Sequence, residues 1–66
     1  MTLEQIDERV DRIRSIASDD EQAHSAEDDL LWDFVEYVAA LDNPSLAAKA
    51  RAVLRSKDIE FHRWFA

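Results

Sequence analysis

Apolar residues recur along the first stretch of this chain at Leu3, Ile6, Val10, Ile13 and Ala17, a 3-4-3-4 spacing that marks one narrow stripe of a helix. Thr2 followed by Gln5 has the spacing of a capping box, and Met1 with Ile6 brackets it as a hydrophobic staple. Glu8 and Arg12 stand one turn apart, which suits a solvated flank. The pattern predicts a first helix that packs on a core by its stripe. As a coiled-coil dimer seam the same stripe is short, since about two and a half heptads fall below the three to four such a seam needs.

A second helix is predicted to begin near Ser18 or Ser25, each followed three residues later by an acid, Glu21 or Asp28. At about 100° per residue, Leu30, Leu31, Phe34, Tyr37, Val38 and Leu41 share one broad face, with Val35 at its edge. Asp29, Asp33 and Glu36 fall on the opposite side. This stretch is expected to be the central core helix. Asn43 before Pro44 then reads as an N-cap followed by a proline in the first helical position. A third helix follows from Pro44 to about Arg55, with Leu46, Ala47, Ala50, Val53 and Leu54 inward. Ser56-Lys57-Asp58 interrupts it, and Asp58 caps a last short helix from Ile59 to Phe65. The expected fold is all-α: one domain over residues 1–66, a small three-helix bundle in up-down-up order with an additional short C-terminal helix.

Composition supports helix and removes several functions. The chain has no glycine and one proline, which argues against tight hairpins and excludes every Gly-rich phosphate cradle. It has no cysteine, which excludes disulfides and Cys-based zinc sites. A domain of 66 residues buries only about 60% of its unfolded surface, so some outside support such as dimerisation is expected. No apolar run approaches the ~20 residues of a membrane span, and the N-terminus lacks a basic, signal-type start. A cytoplasmic protein without membrane attachment is the expectation.

Charge sharpens the picture. The formal net charge is −7, and it is concentrated: residues 19–42 carry nine acids and neither Lys nor Arg, whereas residues 43–66 have a balance of +3. Direct nucleic-acid binding is therefore disfavoured, because the phosphate backbone calls for a basic surface. The acids stacked at the start of the second helix suit the positive end of its dipole. Asp29, Asp33 and Glu36 lie further along and surround Trp32. An exposed Trp among acids resembles a binding anchor. Alternatively Ile59, Phe61, Trp64 and Phe65 fold back to cover it, with Arg63 pairing an acid or stacking on an indole. Trp32, Asp29, Asp33, Glu36, Arg63 and Trp64 are the partner-binding candidates.

Other chemistry is thin. His24 with Glu27 and Asp28 at i+3 and i+4 has metal-ligand spacing, but a site needs a further ligand and His62 is the only other imidazole, so no metal or cofactor is expected. The serines Ser15, Ser18, Ser25, Ser45 and Ser56 mostly mark helix ends, and no nucleophile elbow is present. No enzyme is expected. The function expected is binding of a protein partner, self-association, or both. The alternatives are an inhibitor whose carboxylates mimic nucleic-acid phosphates, and a small metal- or ligand-binding protein.

The acidic run from Asp19 to Leu30, with its His24-Ser25-Ala26-Glu27-Asp28 core, and the terminal Asp58-Ile59-Glu60-Phe61-His62-Arg63-Trp64 segment together resemble a group of small proteins of actinobacteria and their phages. The two pieces cover about a third of the chain. The group has no established activity, so the resemblance implies a cytoplasmic bacterial or phage setting and no catalytic residues. It also pairs the two segments whose packing together the residues already suggest, with Arg63 and Trp64 against the acidic start of the second helix.

Overall fold

The computed structural model describes residues 1–59, and these are helical with no strand: α1 (Leu3–Ser15), α2 (Asp20–Ala39) and α3 (Pro44–Leu54), followed by one 3₁₀ turn at Arg55–Asp58. Each helix begins on a side-chain cap. The Thr2 hydroxyl accepts from the Gln5 N–H at 3.1 Å while the Gln5 amide oxygen accepts from the Thr2 N–H at 2.8 Å, a complete capping box. Asn43 Oδ1 accepts from the Leu46 N–H at 3.2 Å, with Pro44 opening α3 as expected.

The start of α2 needs a correction. Its cap is neither Ser18 nor Ser25 but Asp19, whose carboxylate accepts from the Gln22 N–H at 3.1 Å. Asp is as good a cap as Ser, and the turn closing α1 decides between them. The Asp19 N–H bonds back to the Ile16 carbonyl at 2.9 Å, which leaves Asp19 in the extended conformation a cap needs. The far end of α2 has no basic residue in its last turn. Arg51 of α3 reaches across instead, donating from Nη1 to the Ala39 carbonyl at 3.3 Å, so the negative end of the α2 dipole is met by a cation from another helix.

The helices lie in one layer. The principal extents are 40 × 33 × 9 Å, so the thin dimension is about that of a single helix. Helix α2 is the middle member, α1 and α3 run antiparallel to it along opposite edges, and α1 does not touch α3. The up-down-up order is present, but a closed bundle would need that missing contact. The reason lies in angular position along α2. Ala26, Asp29 and Asp33 meet α1, whereas Asp28, Val35 and Val38 meet α3. At ~100° per residue these two sets are nearly opposite each other.

An open layer buries little. Among the described residues Ala47 and Ala50, at 4% and 6% exposure, are the buried hydrophobic ones, and no side chain of α1 or α2 is fully buried. The expectation that α2 is a core helix is therefore corrected: Leu31, Phe34, Tyr37 and Leu41 all stand exposed. On α3, Leu46 and Val53 are exposed too, and only the alanines of its inward set are buried. The third helix ends at Leu54 and tightens into the 3₁₀ turn. The short helix expected from Ile59 to Phe65 lies, apart from the extended Ile59, outside the described residues.

Candidate functional site: a one-sided helical layer

A single layer has two faces, and here they differ in chemistry. On one side, Phe34, Val35 and Val38 of α2 and Leu46, Ala50 and Val53 of α3 line a groove of about 430 Å³, with Lys49 its one charged lining residue among those described. Val35 and Val53 carry that surface on into a second hollow of about 260 Å³ that includes Leu31 and Trp32, with Asp28 at its border. The Phe34 and Tyr37 rings stand 6.4 Å apart between centroids, tilted by 32°, within the favourable range for an aromatic pair. On α1, Leu3 and Val10 are exposed and lie on the side of the helix away from Arg9 and Arg12. All three helices thus turn exposed apolar residues to the same side.

The other side is charged. Arg9 Nη1 donates to Asp33 Oδ2 at 2.8 Å and ties α1 to α2. Lys57 Nζ donates to Glu36 Oε1 at 3.3 Å and sits 5.5 Å from the centroid of a Trp32 ring, a cation–π distance. Asp29 shares a hollow of about 370 Å³ with Arg9, Arg12, Ile13 and Ala26. Both ion pairs are largely solvated, so each contributes at most about 1 kcal/mol. They orient the layer more than they hold it together.

The candidate cluster around Trp32 is thus divided. Asp29 and Asp33 lie at the α1 side and Glu36 at the α3 side, while Trp32 is half-buried, with Lys57 over its ring. Arg63 and Trp64, expected to answer these acids, lie outside the described residues. Among the metal candidates, His24 and Glu27 line one shallow hollow with Ile13, Asp20 and Ala23, while Asp28 lines the separate hollow beside Trp32. Among the described residues no group of three His, Asp or Glu side chains gathers to hold a metal ion. No helix among them is long and apolar enough to cross a membrane.

Sequence reasoning missed two kinds of residue. Arg9 and Lys57 come to the acids across 24 and 21 positions, and no local pattern announces a contact of that range. Leu31, Phe34, Leu46 and Val53 were visible as apolar but were assigned to the core. The signal available was that α2 is apolar over an arc broader than one neighbouring helix can cover. Compared with protein-family models, curated proteins and solved structures, the chain matches none of them.

Proposed function

We propose that this is a non-enzymatic interaction protein of the cytoplasm whose apolar face docks on protein, and whose bundle is completed by what it binds. One observation carries the reading: three helices present large exposed apolar side chains to one side of a layer 9 Å thick, and among the described residues only Ala47 and Ala50 are buried inside. Contiguous apolar surface of that extent marks an interaction site on a soluble chain. The charged face supports the direction of docking. Its acids stay in water, where a net charge of −7 keeps the chain dispersed and repels anionic lipid and nucleic acid. The face lacks the convergent polar groups that give a substrate its orientation.

Mimicry of nucleic acid is the less favoured reading, because Asp33 and Glu36 already have cations from the same chain. A photo-crosslinking amino acid tests the proposal when placed at Leu31 or Val53 and, for contrast, at Asp29. The expected result is efficient crosslinking to protein from the first two positions and little from the third. No crosslink from Leu31 or Val53 in cells would sink the docking reading, whatever Asp29 gives.

A further inference from the structure

We infer that the occupant of the apolar face is a second copy of this chain, stacked by a two-fold axis so that two α2–α3 hairpins form a four-helix bundle. The inference rests on the docking reading above and names its partner.

Area is the first argument. The chain exposes 5398 Å², whereas a compact monomer of 7.6 kDa exposes about 4,300 Å². The surplus of roughly 1,100 Å² per chain is slightly more than the ~800 Å² each partner contributes to a standard stable interface. The radius of gyration agrees: it is 13.6 Å, against about 10.8 Å for a compact domain of this length. An open layer spreads such a surplus over both its faces, and the ~800 Å² of a standard interface side fits within it.

Shape and charge say that the second copy fits. A two-fold interface must be self-complementary, so that if residue i meets j, then j meets i. Leu31, Phe34, Val38 and Leu41 follow a 3-4-3 spacing, the seam along which helices pack at a shallow angle. Reversed against itself, this seam sets Phe34 beside Val38 and Leu31 beside Leu41, a large side chain against a smaller one at the centre. The acids Asp29, Asp33 and Glu36 are on the far side, so the Leu31–Leu41 seam itself carries no charge, with Asp28 bordering it beside Leu31 and Lys49 beside Leu46. Lys49 stands at the rim, where its head group keeps contact with water while its stem covers apolar surface.

Need is the third argument. A domain this small requires support beyond its own core. Disulfides are impossible without cysteine, and the described residues gather no metal site. Among the described residues only Ala47 and Ala50 are buried, so the layer gains from a partner that is present whenever it folds, and its own copy meets that condition.

The test measures molar mass by light scattering and sedimentation on the full chain. Dimerisation predicts twice 7.6 kDa, falling toward 7.6 kDa on dilution with loss of helical circular dichroism. Val53→Glu and Leu31→Lys change side chains that are 54% and 58% exposed in the single layer and leave the buried Ala47 and Ala50 untouched. Each is expected to weaken the dimer about a hundredfold, because an unpaired charge is desolvated in the interface. Since the chain has no native cysteine, Phe34→Cys with a short bis-maleimide is expected to link two chains, and Asp29→Cys is not.

A wild-type mass of 7.6 kDa at all concentrations, with helix retained, overturns the inference. If the face still crosslinks to a different protein, the docking reading survives and only the partner is wrong. If the wild type is monomeric but Phe61→Ser with Trp64→Ser makes it dimeric, the chain's own C-terminal segment is the occupant, and the inference again fails. Linking through Asp29→Cys but not Phe34→Cys would place the contact on the charged face and overturn it as well.

Discussion

The two contacts that α2 makes are built from different materials. Toward α3 the buried side chains are alanines, Ala47 and Ala50, and the helices are further joined by Arg51 on the Ala39 carbonyl. Toward α1 the contact uses half-buried isoleucines such as Ile13 and one solvated ion pair, Arg9 with Asp33. Alanine lets helix backbones approach closely, because nothing beyond Cβ separates them. Branched side chains and a bridging guanidinium hold them further apart. The close seam has a consequence for function: with alanine between the helices, the leucines, valines and Phe34 have no place inside and must stand on a face.

Substitutions test that contrast, provided urea denaturation is followed at one fixed protein concentration, since association itself adds to apparent stability. Ala50→Leu should have the largest effect. It forces a large side chain into the tight seam and should cost about 2–3 kcal/mol. If it costs nothing, the α2–α3 seam is not closely packed. Ile13→Ala removes a half-buried side chain from the looser contact and should cost about 1–2 kcal/mol, below the range for a fully buried isoleucine. A loss equal to or greater than that of Ala50→Leu would reverse the comparison.

The caps come next. Asn43→Ala deprives the Leu46 N–H of its acceptor where α3 leaves the turn, and a loss of about 1 kcal/mol is expected. Thr2→Ala should cost about half as much, because the first turn of α1 packs on little, Leu3 being exposed. Equal losses at the two caps would show that α1 is held as firmly as α3. Arg9→Ala is expected to have the smallest effect, about 0.5 kcal/mol or less, since the pair with Asp33 is a third to a half exposed. A salt titration checks it: the difference between wild type and variant should shrink as ionic strength rises.

Much of the local structure was legible in advance. The capping box at Thr2 and the Asn43-Pro44 start of α3 involve only neighbours three or four residues apart, so spacing determines them. Asp19 was harder, because Ser18 with Glu21 and Asp19 with Gln22 offer the same pattern one residue apart. The hydrogen bond from Asp19 back to Ile16 selects between them, and it depends on where α1 stops. The candidate site was legible only as composition. That Trp32 sits among acids follows from helical periodicity. That Lys57 covers its ring and bonds Glu36 follows from the return of α3.

By itself the sequence determined helix, direction and charge: no glycine, three capped segments, and an acid-rich centre followed by a basic end. These depend on interactions within a turn or two, and no tertiary contact reverses them. Whether the apolar arc of α2 is a core or a surface depended on the angle between its two neighbours. Helical periodicity gives the arc its width but does not say which part each neighbour takes. Only the tertiary structure put α1 and α3 on opposite edges of α2, which turned a would-be interior into an exposed face.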